Sequence, residues 1–322
     1  MNEEGFVKRR EPDWQRLYAL IQRPLPSLSA SELEEVFVLH RRVSGDLATV
    51  RTLTNNGGLV EFLNQLVGQG HSVLYRRRRI GFWSAIGGAI ATIAQTFRRN
   101  LPFIGFAAGL FLLSAFAAAF LVNHVPGAHD VLVPPGWDEV FDHWKKGSHE
   151  AGKSSSNFAA TGFYASNNPM AAIGSASVSA VSFGVLTFFV VFQNGALLGV
   201  LGADMAPLGL LPFLLNSILP HGVTEISGLF VSAGAGFRLG WSMIAPGRIS
   251  RAESMRRAGK DATVLLGTSV LMMLIAAPIE GFFSFNGLVP SWAKYLFAAA
   301  SAVAWACFWT LVGRTDDSAM VK

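Results

Sequence analysis

His221 and Glu225 stand four residues apart in the stretch LNSILPHGVTEISG, with apolar sequence on both sides. A second carboxylate, Glu280, lies in IAAPIEGFF, and the polar pair Gln193 and Asn194 interrupts FFVVFQNGALLG. Ionisable groups at membrane depth cost about 3 kcal/mol each on insertion scales and mark functional sites. A His and a Glu at i and i+4 share one face of a helix. Such a set is open to three chemistries. The groups could pair with one another and with Asn194 and so hold the local structure, since a satisfied buried pair needs no ligand. They could line a proton or ion pathway. They could form a metal or catalytic site, but HGVTE is not HExxH and supplies one His and one carboxylate. The residue pattern therefore assigns no catalytic residue and no metal ligand, and it implies no cofactor.

The composition says which solvent these groups meet. The 322 residues are 51% hydrophobic and 15% charged, with a mean hydropathy of +0.39; soluble domains carry about 25% charge. The chain reads as a membrane protein. Its one cysteine, Cys307, excludes an intrachain disulfide and a thiolate metal site. The net charge of +5 fits Lys and Arg gathered on cytoplasmic loops better than a nucleic-acid partner. The start of the chain is charged and shows no secretory signal pattern.

The elements that must position the polar groups follow from periodicity. Residues 1–79 read as a cytoplasmic domain of three amphipathic helices, with Trp14, Leu17, Tyr18 and Ile21 at helical spacing in the first. Ser29 to Glu32 forms a capping-box pattern ahead of the second. Residues 80–99 carry basic clusters at both ends, Arg76 to Arg79 and then Arg98 and Arg99. Crossing would put one cluster outside, so this segment is expected to lie in the cytoplasmic interface as an amphipathic helix.

The transmembrane domain is expected over 100–314. Full spans are expected at 101–122, 178–202, 262–285 and 292–312, with a cytoplasmic tail at 315–322. Between the first two, residues 123–176 are expected as an outside loop, with Trp137, Val140, Phe141 and Trp144 on the outer bilayer surface. Its His124, His129, His143 and His149, with Asp138 and Asp142, make either a metal site or solvated polar surface. Residues 206–245 must start and finish on one side, because the basic residues of 248–260 follow. Two arms of about 15 residues each rise only about 22 Å, short of the roughly 30 Å core. A re-entrant hairpin with its tip at Pro220, His221 and Gly222 is expected, with two short spans as the alternative. The expected class is thus an all-α polytopic protein with four full spans and a hairpin, or six spans. Both termini are placed in the cytoplasm.

In order along the chain stand Arg98-Arg99-Asn100, Asn167-Asn168, Phe192-Gln193-Asn194-Gly195, then Leu219-Pro220-His221-Gly222-xx-Glu225. Gly234-Ala235-Gly236-xx-Leu239-Gly240, Ala258-Gly259-Lys260, Glu280-Gly281-Phe282 and Gly313-Arg314 follow. This ordered set resembles the stage II sporulation protein M family of multi-pass membrane proteins. The resemblance implies a polytopic protein of the bacterial inner membrane without established enzymatic activity. It implies partners in envelope or cell-wall remodelling, and an AAA-type ATPase as an assembly partner. Two functions are consistent with it: a non-enzymatic scaffold, and a transporter or channel-like subunit that uses the His/Glu cluster and is coupled to a separate cytoplasmic ATPase. A pathway requires polar groups converging on a cavity; a scaffold requires them mutually bonded and dry. The small-residue positions Gly195, Gly199, Gly234, Gly236 and Gly240 suit close helix approach, either between copies in a homo-oligomer or within one chain.

Overall fold

The computed structural model describes residues 3–24, 27–53, 56–74, 81–147 and 154–314. The basic run 76–79, His149 and the tail 315–322 lie outside them. The chain divides into two compact units, Met1–Gly81 and Phe82–Lys322.

The first unit contains α1 (Glu3–Ile21), α2 (Ala30–Leu53) and α3 (Gly57–Leu74). The apolar positions at helical spacing supply its core: Trp14, Leu17 and Ile21 from α1, Val36, Val43 and Val50 from α2, Leu63 and Leu66 from α3. Tyr18 instead faces outward. Buried Asp46 accepts from Trp14 Nε1 at 2.9 Å and Arg10 Nε at 2.8 Å, so both of its oxygens are satisfied. Ser29 Oγ accepts from the Glu32 N–H at 3.2 Å, and the Glu32 carboxylate accepts from the Ser29 N–H at 2.8 Å. That backbone bond, with Arg23 beside it, holds the Glu32 carboxyl down at about 2.

The second unit begins with α4 (Phe82–Arg99) and α5 (Leu101–His124), followed by the short α6 (Ala128–Leu132) and α7 (Asp138–Lys145). Then come α8 (Ser154–Val178), α9 (Val185–Met205), α10 (Leu211–Ile244) and α11 (Arg251–Ile279). A π-helical segment (Glu280–Ser284) and α12 (Ser291–Leu311) close it. Among the described residues four stretches are long and apolar enough to cross a membrane: Leu101–His124, Val185–Met205, Arg251–Ser284 and Ser291–Leu311. The protein is an all-α, multi-pass membrane protein, and these are the four spans expected from hydropathy.

Residues 206–245 are not a hairpin, nor two spans. α10 is one helix of 34 residues running straight through Pro220, His221 and Gly222, about 51 Å long at 1.5 Å per residue. Pro220 removes one backbone donor, a loss that neighbouring helices make tolerable inside a bundle. The expected outside loop 123–176 also divides. Its second half is α8, which packs against α10, α11 and the π-helical segment. Ala, Ser, Gly and Asn dominate α8, so hydropathy does not flag it, while small side chains suit a helix enclosed by others.

These two corrections change the direction of α9. Gly195 lies against Phe111 and Ser114 of α5, and Gly199 against Ala115, so α5 and α9 run parallel, and α8, which joins them in the chain, runs the opposite way. At one end, Gly240 abuts Phe183 and Gly184, Gly234 abuts Ile104, and Arg99 pairs with Asp261 at 3.0 Å. At the other, Asp204 meets His129 at 3.1 Å and Lys145 at 3.9 Å. The end of α9 therefore shares a side with the end of α5, whereas a span at 178–202 following an outside loop would end on the opposite side.

Candidate functional site

α10 places His221 and Glu225 one turn apart on the same face, and the segment after α11 brings Glu280 to them. One ligand-capable atom from each of His221, Glu225 and Glu280 lies within 4.8 Å of the others. His221 and Glu280 are buried. His221 Nδ1 is 2.9 Å from Ser284 Oγ, and His221 Nε2 is 3.8 Å from Glu280 Oε1. Glu225 Oε1 accepts from Asn168 Nδ2 of α8 at 2.9 Å. Its second oxygen is buried and has no hydrogen-bond partner among the described residues.

These groups border a cavity of about 300 Å³ that Asn168, Asn194, His221, Glu225 and Glu280 line together with Phe111, Trp144 and Phe285. Trp144 of α7 packs on Phe213 and Phe285, with ring centroids 6.2 and 5.9 Å apart. The segment expected on the outer bilayer surface thus covers this end of the cavity. Asn194 is exposed, and its amide donates to Val190 C=O at 2.8 Å instead of joining the carboxylates. Gln193 is turned elsewhere: it donates to Leu132 C=O at 3.3 Å and does not line the cavity.

The glycine and basic positions serve the frame. Gly195, Gly199, Gly234, Gly236 and Gly240 are all spent on contacts within one chain. Gly222 is helical and buried beside Ile218 and Ile226, and it makes no turn. Arg98 Nη1 donates to the carbonyls of Trp309 and Val312, both at 2.8 Å, closing the C-terminal end of α12. Arg99 and Asn100 both reach Asp261. In the earlier loop, His129 is tied to Asp204 and Lys145 to Asp142, and the described residues gather no metal-ligating group there.

Three features are absent from the sequence reading. Ser284 orients His221, and buried Lys294 donates to the Ser284 carbonyl at 2.6 Å. Their signal was weak: a Ser near the end of an apolar run and a Lys near a helix start are ordinary in membrane proteins. The third is residues 147–154, GSHEAGKS, which fit the P-loop spacing. A P-loop joins a strand to a helix, whereas α7 precedes this stretch and no strand occurs among the described residues.

The stage II sporulation protein M family model matches residues 107–285, more than half of the chain. The chain belongs to this family. The model of a domain of unknown function (DUF8413) matches residues 4–76, within the first unit. An uncharacterized protein of Methanocaldococcus jannaschii is 32% identical over 121 residues, which cover 36% of this chain and 64% of that protein. The chain thus spans less than two thirds of that relative. No solved structure matches.

Proposed function

We propose that the chain is a non-enzymatic membrane subunit of a larger assembly, and that its working part is an ion- or solute-binding cavity between α8, α9 and α10. The observation that carries this reading is the convergence of polar groups on a space. A purely structural cluster would close on itself, but here the Glu225 carboxylate keeps an oxygen without a hydrogen-bond partner among the described residues. Asn194 stands exposed at the rim. The end holding Arg98, Arg99 and the 246–250 connection faces the cytoplasm of a bacterial inner membrane in this proposal, since Lys and Arg collect on that side. Both termini then lie inside. α4, held to α12 through Arg98, runs along the inner interface.

The scaffold reading keeps one observation in its favour. The first unit is a separate body with its own core and exposes Phe37 and Val38, as a docking module would. Envelope or cell-wall proteins, further copies of the chain and an AAA-type ATPase are the proposed partners. The two readings separate on whether the cavity holds water. With Cys307→Ser as background, Asn194→Cys in proteoliposomes is expected to react with a small charged thiol reagent. Protection of that cysteine under conditions that modify Leu208→Cys would sink the open-cavity reading and leave the scaffold.

A further inference from the structure

We infer that His221, Glu225 and Glu280 bind a divalent first-row transition-metal cation, with Zn²⁺ the best fit. The inference rests on the cavity reading and names its ligand. The atoms that would coordinate lie within 4.8 Å of one another. An ion bound tetrahedrally with bonds of about 2.1 Å sets its ligands about 3.4 Å apart. His221 Nε2 and Glu280 Oε1, at 3.8 Å, are too far apart for a hydrogen bond and close to that spacing.

The surroundings prepare the imidazole for this role. Metal-binding histidines use one ring nitrogen and donate from the other to a protein acceptor, which fixes tautomer and plane. His221 Nδ1 lies 2.9 Å from Ser284 Oγ, so the tautomer that donates there would leave the Nε2 lone pair on the Glu280 side for the ion. Ser284 is itself held, because Lys294 donates to its carbonyl. The π-helical turn sets Glu280 and Ser284 on the His221 side together. Such single-turn insertions recur at functional sites. Asn168 fixes one oxygen of Glu225 and leaves the other buried without a hydrogen-bond partner among the described residues.

Charge selects the class of ligand. Two carboxylates side by side cannot both stay ionised in a low-dielectric site unless positive charge is shared between them. A dication with a neutral imidazole and two carboxylates gives a site of zero net charge. Mg²⁺ and Ca²⁺ prefer oxygen-only sets, whereas imidazole favours the transition series. The free positions around such an ion face the cavity, where water or a transported ligand would complete the shell.

The test uses the full-length protein in nanodiscs, stripped with a chelator and titrated with Co²⁺ and then Zn²⁺. About one Co²⁺ per chain is expected, with the intense visible bands of four- or five-coordination, bleached by Zn²⁺. Glu225→Gln, Glu280→Gln and His221→Ala should each weaken binding about 100-fold or more. Ser284→Ala should weaken it about 10- to 100-fold, the usual cost of losing an outer partner. Gln193→Ala, whose side chain points to Leu132 and does not line the cavity, should leave it within about threefold. No Co²⁺ or Zn²⁺ binding by the wild-type chain, or binding that all three ligand variants retain, overturns the site. The wild-type spectrum decides alone where a variant fails to fold. A reactive Asn194→Cys without metal binding removes the metal and keeps the cavity; metal binding with a protected Asn194→Cys does the reverse.

Discussion

A Cβ added at Gly199 would run into the backbone carbonyl of Ala115, and one at Gly195 into the carbonyl of Phe111 and the hydroxyl of Ser114. Backbone cannot step aside as a flexible side chain can, so the whole α5–α9 contact must open. Gly202, one turn on, meets nothing within 4 Å. Overpacking a well-packed contact costs about 1–3 kcal/mol. Gly199→Ala is therefore expected to lower the thermal midpoint in mild detergent by several degrees, while Gly202→Ala leaves it unchanged. Equal midpoints for the two variants would refute the close contact. At this scale the sequence exposes some things and hides others. His221, Glu225 and Glu280 are conspicuous because charge in an apolar run has no cheap explanation. Gln193 looks identical to Asn194 on that criterion, yet adjacent helix positions point about 100° apart, and only Asn194 lines the cavity. Ser284 and Lys294 carry no such mark, and their meaning comes from what they touch across 63 and 10 residues of chain.

The elements divide along the same line. The four apolar spans were legible because about 20 apolar residues are what a bilayer requires. The capping box at Ser29 was legible because its chemistry is local: Ser29 Oγ accepts from the Glu32 N–H at 3.2 Å, and the Glu32 carboxylate accepts from the Ser29 N–H at 2.8 Å. α8 and the continuity of α10 were not. Both depend on neighbours, since a helix enclosed by others needs small and polar residues where a lipid-facing one needs apolar ones. Pro-His-Gly reads as a turn because turn signals describe chains in water; enclosed in a bundle it stays helical. Spin labels at Leu215 and Trp241, both exposed, discriminate sharply. One helix places the two sites about 39 Å apart at 1.5 Å per residue. A hairpin with its tip at Pro220 would offset them by about 24 Å along the axis and about 9 Å across it, a distance of about 26 Å. Electron–electron dipolar distances near 39 Å are expected, and a dominant short population would restore the hairpin.

At the scale of the whole molecule, the parallel run of α5 and α9 sets which connections share a side. α8 must carry the chain back, so the connection between α9 and α10 emerges beside α6 and α7, as the His129–Asp204 pair requires. The connection between α10 and α11 emerges with Arg99, Asp261 and the end of α12. A chain with only the four hydropathy spans and a hairpin would instead put residues 204–210 with the basic end. Leu208 therefore decides between the two topologies. It is exposed, as are Val131 and Leu288 at the same end, and Arg251 lies at the other. In a Cys307→Ser background, single cysteines at these positions would be probed in intact cells with a membrane-impermeant maleimide. Leu208→Cys, Val131→Cys and Leu288→Cys are expected to label together, and Arg251→Cys only after the membrane is opened. If Leu208→Cys labels with Arg251→Cys and not with Val131→Cys, α8 does not cross. The cavity would then lose the helix that brings Asn168 to Glu225.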